Sequence, residues 1–267
     1  MDQNTPSKPL KIETKLLERI SQSGTDIMSF KFSRCDEHDK NNYLNYKAGQ
    51  YAIVDLGTTE DPEGPIRSFT LASSPTEKDS ILISTRIRNT PFKQKLASLD
   101  LGAVVKLTCP MGEFVLHEDY SKPAVFLSGG IGITPFRSMI KYATDKQLPL
   151  KIIMLDANRN EENILYKQEF DSWQNLNKNL KIVYALDLEQ QQQQEEKEEK
   201  SDKHKWNGEI GRINKDMVMK YLNADDFANA VFYICGPPGM LNAMKNLLTT
   251  EMGITKGRIR EEEFYGY

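Results

Sequence analysis

Hydrophobic and polar positions alternate over short stretches in the first 120 residues, and glycine and proline separate these stretches. A period of two is typical of strands with one buried face, and frequent turns predict a small antiparallel barrel. The predicted strands cover residues 27–32, 51–56, 67–72, 81–87 and 104–107. One predicted helix interrupts them, from Pro91 to about Leu99, with the proline in its first turn.

From Ala124 onwards, apolar runs alternate with stretches of helical periodicity. Such alternation predicts βαβ units and a parallel sheet. The predicted strands are 124–127, 152–155, 182–186 and 231–234, and the predicted helices are 136–143, 161–173, 215–222 and 239–248. We therefore predict two domains, a Greek-key antiparallel β-barrel over residues 1–120 and an α/β parallel-sheet domain over residues 121–267.

One stretch fits neither pattern. Residues 189–205 contain five consecutive glutamines followed by residues of mixed charge. A segment with so few apolar residues cannot bury enough surface to fold, which predicts a disordered insertion. A partner-docking segment is the alternative.

Composition narrows the class of function. Charges nearly balance at a formal net charge of -3, which argues against a general nucleic-acid binder. No apolar run approaches the ~20 residues that cross a bilayer, and residues 1–9 lack the apolar core of a signal peptide. We expect a soluble, cytoplasmic protein. The three cysteines form no CxxC pair and the three histidines have no ligand spacing, so we expect neither a metal site nor an iron–sulfur cluster.

The predicted strand at residues 67–72 begins with Arg67-Ser68-Phe69-Thr70. A flavin needs its pyrophosphate neutralised, its ring face covered and its ring edge hydrogen-bonded. Arginine, phenylalanine and the two hydroxyls offer these three kinds of contact, and alternation puts Arg67 and Phe69 on one face of the strand. An ordinary strand with one exposed arginine is the alternative.

Two further loops have the composition of nucleotide-binding loops. The first follows the buried strand 124–127 and opens a helix, with the sequence Gly129-Gly130-Ile131-Gly132-Ile133-Thr134-Pro135. Glycines let the backbone approach a cofactor, and the N-terminus of the helix attracts its pyrophosphate. The second follows the strand 231–234, with the sequence Cys235-Gly236-Pro237-Pro238-Gly239-Met240.

Together with the chain end, Glu263-Phe264-Tyr265-Gly266-Tyr267, these motifs resemble those of the ferredoxin–NADP reductase superfamily in kind and order. The resemblance covers residues 11–267 apart from the insertion. It implies an FAD-dependent NAD(P)H oxidoreductase with an FAD-binding barrel and an NAD(P)-binding α/β domain. Such an enzyme passes hydride from a nicotinamide to flavin N5, and the flavin then reduces an acceptor.

The resemblance assigns flavin contacts to the first motif and to the chain end. It implies that Arg67 pairs with the pyrophosphate, that Phe69 packs against the flavin, and that Thr70 bonds near N5 beside Ser68. Either Tyr265 or Tyr267 would stack on the flavin face; a frayed tail is the alternative.

The second phosphate-binding element departs from the family pattern. Arg86 lies on the expected basic strand, but Lys93 stands where the family has a serine at the start of a helix. Lys93 would supply its phosphate contact by charge. The departure leaves FMN open as an alternative to FAD.

On the nicotinamide side, the resemblance implies that Cys235 lies near the transferring carbon, where a small polarizable side chain admits the ring. Thr70, Cys235 and Glu263 would together form the catalytic group near N5. The residues assigned to nicotinamide-nucleotide binding are Gly129, Gly130, Gly132, Thr134, Pro135, Arg159, Asp187, Cys235, Gly236, Pro237 and Met240.

The choice between NADH and NADPH depends on charge. Asp187 follows the strand 182–186, where NADPH-dependent members carry Ser-Arg, and a carboxylate there repels a 2′-phosphate and suits a free 2′-hydroxyl. Arg159 is the opposing feature, because it could reach a phosphate. We expect NADH as the donor and NADPH as the alternative.

The motifs do not identify the electron acceptor. Because this chain cannot assemble a four-cysteine cluster, we expect a separate acceptor, either a ferredoxin-like protein or a small molecule. Two other functions stay open. One is a free flavin reductase that uses flavin as a substrate, and the other is a non-catalytic docking or regulatory subunit.

Overall fold

The computed structural model describes residues 8–39, 43–57, 60–187 and 206–263, and this part of the chain forms two compact units. The first unit contains the described residues up to Leu116 together with Thr134–Lys146. The second contains His117–Ile133 and the described residues from Gln147 onwards. The predicted domain limits at residues 120 and 121 stay a prediction, and the insertion at 189–205 lies outside the described residues.

Six antiparallel strands form a nearly closed barrel in the first unit, which confirms the predicted class of its fold. They are β1 (Leu10–Ser21), β2 (Ile27–Ser33), β3 (Tyr51–Asp55), β4 (Ile66–Thr70), β5 (Ser80–Arg86) and β6 (Val104–Met111), in the spatial order β4-β3-β6-β1-β2-β5. Alternate side chains fill the interior, where Phe30, Phe32 and Val54 are fully buried.

The longest of these strands, β1, was not predicted from the sequence. Only its first half alternates, with Ile12, Thr14 and Leu16 buried. Beyond Leu16 the register against β2 shifts, and the remaining residues are exposed. Such an irregularity inserts a residue and interrupts the alternation of buried and exposed side chains. The sequence of this charged segment therefore does not show one continuous strand pattern.

A six-stranded parallel sheet forms the second unit and confirms the predicted α/β class. Its strands are β7 (Ala124–Gly129), β8 (Ile152–Asn158), β9 (Leu180–Leu186), β10 (Glu209–Ile210), β11 (Val231–Gly236) and β12 (Ile259–Glu263), in the order β10-β9-β8-β7-β11-β12. The strand order reverses between β7 and β11. In open α/β sheets, ligands bind beyond the carboxyl ends of the strands at such a reversal.

The helices agree with the sequence pattern except around residue 166 and at Ala224–Asn229, where no helix was predicted. They are α1 (Pro91–Ser98), α2 (Thr134–Asp145), α3 (Lys167–Leu176), α4 (Lys215–Lys220), α5 (Ala224–Asn229) and α6 (Pro238–Asn246). The predicted helix 161–173 is wrong at its start, because Tyr166 has a φ of 62° that a right-handed helix does not accept. None of the helices in the described ranges is long and apolar enough to cross a membrane.

Candidate functional site

The predicted flavin motif forms most of β4, at one end of the barrel sheet. Arg67 is half-buried and Ser68 is exposed, whereas Phe69 and Thr70 are both buried. The Phe69 ring stacks on Phe92 inside the barrel core, with 6.0 Å between the ring centroids. Because these contacts use the ring for core packing, its packing against a flavin stays a prediction.

The Thr70 hydroxyl is buried without a protein partner. Thr70 is 3% exposed, and its Oγ1 makes no hydrogen bond to any residue that the structure describes. A buried polar group left in this state costs about 1–3 kcal/mol, so the position fits a ligand that supplies the missing bond. The ring edge of a flavin carries donors and acceptors, and Thr70 therefore fits the role that the resemblance implies.

Arg67 is bound by acidic and carbonyl oxygens of its own unit. Its Nη2 donates to Asp61 Oδ1 at 2.5 Å. Its Nη1 donates to the carbonyl oxygens of three further residues, namely Glu63, Gly64 and Ile66. The guanidinium that we predicted at the pyrophosphate is therefore paired within the protein.

Asp61 also bonds to the first turn of α1. Its Oδ2 accepts the Phe92 N–H at 2.8 Å, and its Oδ1 accepts the Glu63 N–H at 3.0 Å. These hydrogen bonds hold the pKa of the Asp61 carboxyl below its usual value, and the bond from the Phe92 N–H has the largest effect. The first turn of α1 has no acidic residue of its own. Asp61 therefore supplies the negative charge that a helix N-terminus favours.

The other two predicted phosphate-binding cations also have protein partners. Lys93 is 8% exposed, and its amine donates to the Thr85 hydroxyl and lies 4.6 Å from the Phe69 ring centroid. Burial lowers the pKa of Lys93 to about 8. Arg86 pairs with Asp26. Their contacts to a flavin phosphate stay predictions.

In the second unit, the glycine turn after β7 packs tightly against the loop after β11. A Cβ on Gly132 would lie 2.3 Å from the Cys235 carbonyl oxygen, and one on Gly129 would lie 2.2 Å from the Met240 sulfur. Gly130 has a φ of 55°, in the left-handed region that glycine adopts easily. These glycines are therefore needed for the packing of two loops, quite apart from any cofactor.

The remaining motif residues lie at the ends of strands and helices, and the cofactor contacts predicted for them stay predictions. Thr134 and Pro135 are buried in the first turn of α2. Gly236 ends β11, and Pro237 precedes α6. The two tyrosines predicted to stack on the flavin, Tyr265 and Tyr267, lie outside the described residues.

Cys235 is fully buried and pairs in register with Glu262 of β12. Burial, and to a smaller extent the charge of Glu262, raise the pKa of the Cys235 thiol well above its usual value. Cys235 is therefore a neutral thiol at physiological pH. Burial also raises the pKa of Glu262 to about 7, and its Oε2 finds no hydrogen-bond partner in the described part of the chain.

The catalytic role predicted for Glu263 stays a prediction, and the strand register makes its neighbour Glu262 a second candidate. Glu263 pairs in register with Gly236, while Glu262 pairs with Cys235. Successive residues of a strand point to opposite faces, so only Glu262 shares a face with the cysteine. The Glu-x-aromatic pattern at the chain end fits either glutamate equally well, and the sequence alone therefore gave no reason to choose Glu262.

Two buried acceptor oxygens lie at the carboxyl ends of the adjacent strands β8 and β9. Asn158 Oδ1 and Asp187 Oδ1 are buried and unpaired within the described ranges. The residues are adjacent, because the Asp187 N–H donates to the Asn158 carbonyl oxygen at 3.0 Å. Asp156 orients the amide by accepting from Asn158 Nδ2 at 2.7 Å. Buried, unpaired acceptors suit hydroxyl donors such as those of a ribose.

Two arginines near this pair bear on the choice between NADH and NADPH. The Asp187 carboxylate accepts from Arg212 Nε at 3.1 Å through its other oxygen. Arg159, which we considered as a phosphate ligand, is exposed. A carboxylate at this position would repel a phosphate, and the preference for NADH over NADPH stays a prediction.

Two family models match this chain. An oxidoreductase FAD-binding domain matches residues 14–116, and an oxidoreductase NAD-binding domain matches residues 126–246. The chain belongs to the ferredoxin–NADP reductase superfamily, a family of FAD-dependent NAD(P)H oxidoreductases. The family, the flavin and nicotinamide cofactors and the class of enzyme are thus as the motifs predicted.

Relatives of the chain include flavoproteins of several kinds. A flavohemoprotein of Bacillus subtilis is 28% identical over 96% of this chain and 59% of its own length. NADH-cytochrome b5 reductase 1 of Neosartorya fischeri is 27% identical over 94% and 80%. A solved ferredoxin NADP+ reductase from Neisseria gonorrhoeae superposes with a TM-score of 0.72 at 17% identity, over 95% of this chain and 98% of that one. The chain thus spans little more than half of the flavohemoprotein.

Proposed function

We propose that this chain is a flavin-dependent NADH oxidoreductase whose acceptor lies outside these 267 residues, either a ferredoxin-like protein or a small molecule. The observation that carries the proposal is that each matched domain contains buried polar atoms without a protein partner. Thr70 provides one in the FAD-binding domain, and Asn158 and Asp187 provide two in the NAD-binding domain, counted over the described residues. A cytoplasmic location stays a prediction.

When bound, the two cofactors supply the hydride transfer, from the nicotinamide to flavin N5, and the onward transfer of electrons. The protein then has to bind and orient them. In this proposal, the Thr70 hydroxyl bonds to the flavin edge, and Arg67 neutralises its phosphate. Asn158 and Asp187 accept hydrogen bonds from the adenosine ribose of NADH.

In the same proposal, Cys235 and Glu262 serve the reacting end of the nicotinamide site. The neutral thiol of Cys235 provides a small surface that carries no charge at physiological pH. Glu262 has a pKa of about 7, so its carboxyl is able to hold or release a proton near the working pH. We propose Glu262 in the role that the sequence assigned to Glu263.

We infer a preference for NADH over NADPH from the unpaired Asp187 oxygen. Steady-state kcat/KM with FAD and ferricyanide should be about tenfold or more higher for NADH, because a carboxylate and a 2′-phosphate repel each other. In Asp187→Asn, which keeps the shape but not the charge, this ratio should fall. A wild-type kcat/KM that is higher for NADPH contradicts the choice of donor. Failure of both nucleotides to reduce ferricyanide with FAD present favours a non-catalytic subunit.

A free flavin reductase is the second candidate, and the pairing of Arg67 with Asp61 favours it. An arginine that is already paired binds a flavin phosphate less tightly, so the flavin would exchange as a substrate. The purified chain distinguishes the two functions. Flavin that stays bound through gel filtration indicates a prosthetic group, and colourless protein that reduces added flavin indicates a substrate.

A further inference from the structure

The Asp61 carboxylate accepts hydrogen bonds from three residues of the first unit. Arg67 Nη2 lies at 2.5 Å, the Phe92 N–H at 2.8 Å and the Glu63 N–H at 3.0 Å. The Asp61 side chain is only 2% exposed. A buried carboxylate is tolerated when its charge and its lone pairs are met in this way.

Two of these three donors are of the kind that binds phosphate. The guanidinium of Arg67 presents a planar fork that matches phosphate oxygens. The Phe92 N–H belongs to the first turn of α1, and N–H groups there point towards anions. Arg67 is also the arginine of the flavin motif. Asp61 thus occupies the groups that a flavin phosphate would use.

The charges around Arg67 are balanced without an added anion. Arg67 contacts Asp61 and also Glu63, whose Oε2 lies at 3.0 Å. A flavin phosphate that approached this arginine would meet two carboxylates, and like charges at such short distances repel each other. Phosphate binding at Arg67 is therefore opposed as long as the Asp61 carboxylate stays on the guanidinium.

We propose that Asp61 is an internal anion that holds the phosphate-binding groups of the flavin site, and that its exchange for the flavin phosphate sets how tightly the chain retains FAD. This inference rests on the proposed flavin-dependent function. It makes Asp61 a determinant of cofactor affinity, although the residue lies outside the motifs that identify the family.

Equilibrium titration of flavin fluorescence tests the proposal on the full chain, with FAD and riboflavin as probes. In Asp61→Asn the competing charge is gone, so the Kd for FAD should tighten by about tenfold or more. Riboflavin has no phosphate, and its Kd should stay within about twofold. Glu63→Gln is the matched control. It removes the same charge from an exposed side chain but keeps the Asp61 bonds, so its effect on FAD should be smaller.

Two further variants separate the charge of Asp61 from its place in the fold. Asp61→Ser is a second neutral variant, because serine also accepts a bond from a helix N-terminus, and thermal melting checks that both neutral variants fold. Asp61→Glu keeps the charge and should retain the weaker binding of FAD. If the neutral variants bind FAD with the same affinity as the wild type or more weakly, the inference about Asp61 is wrong, and the proposed function is not affected. Failure of every protein to bind FAD contradicts the proposed function as well.

Discussion

The two matched domains differ in how the candidate ligands for an anionic cofactor are paired in the protein. In the FAD-binding domain, Arg67 and the first turn of α1 already bond to Asp61. In the NAD-binding domain, Asn158 Oδ1 and Asp187 Oδ1 have no partner in the described residues, and the loops around Cys235 are tightly packed. If the proposed sites are correct, phosphate binding at Arg67 competes with an existing ion pair, whereas Asn158 and Asp187 each keep one acceptor oxygen free of a partner in the described residues.

This difference separates two ways of binding an anionic cofactor. Charges that pair within the protein avoid the cost of an unpaired buried charge but oppose the ligand. Acceptors that are held without partners reduce the stability of the free protein but favour the ligand. We therefore expect substitutions in the flavin site to act mainly through charge, and those in the nicotinamide site to act mainly through packing and desolvation.

The largest effect should come from Gly132→Ala. The added Cβ would lie 2.3 Å from the Cys235 carbonyl oxygen, and backbone cannot move aside as a flexible side chain does. We expect the free energy of unfolding to fall by about 3 kcal/mol. Gly239→Ala is the matched control, because nothing lies within 4 Å of its added Cβ. Urea unfolding measures the free energy of unfolding of both variants. Equal values for the two variants contradict a tightly packed nicotinamide site.

Glu262→Gln should stabilise the protein, and its effect should depend on pH. The folded pKa of Glu262, about 7, lies above the usual value of 4.5, so the folded state binds more protons between these two values. Wild-type stability therefore falls as pH rises through this window, and the glutamine variant avoids that loss. At pH 8 we expect Glu262→Gln to be more stable by about 2–3 kcal/mol.

Glu263→Gln is the control for the choice between the two glutamates. Its stability should follow the pH dependence of the wild type, because Glu262 remains. Thermal unfolding from pH 4 to 8 measures both variants. A pH dependence that disappears in Glu263→Gln and persists in Glu262→Gln would restore the residue that the sequence suggested.

Lys93→Met probes the flavin site and should have the smallest effect of the three. The folded pKa of Lys93, about 8, lies below the usual 10.5, so the unfolded state binds more protons between these values and wild-type stability rises with pH across them. The variant should lack this rise. At pH 7 it should be more stable by about 2 kcal/mol, since loss of the bond to Thr85 offsets part of the gain. Unfolding at pH 7 and pH 10 is the measurement; equal pH dependence in both proteins contradicts a buried, charged amine.

The sequence predicted the two fold classes and the order of the motifs because both depend on local patterns. The alternation of apolar and polar residues, together with the turn residues, identifies most barrel strands. The glycine turn after β7 is recognisable from its sequence motif. The importance of Asp61 was not predictable in this way. It lies 31 residues before Phe92, and only the barrel brings its carboxylate to the start of α1. The choice of Glu262 over Glu263 likewise depends on strand register, which the sequence does not contain.

Anaerobic titration of the FAD-loaded chain with NADH tests the proposed oxidoreductase most directly. Visible flavin absorbance is recorded after each addition, and NADPH is titrated in parallel. We expect the absorbance to bleach with about one NADH per bound FAD, since each hydride carries the two electrons that reduce a flavin. A flavin that stays oxidised through an excess of both nucleotides would contradict the account.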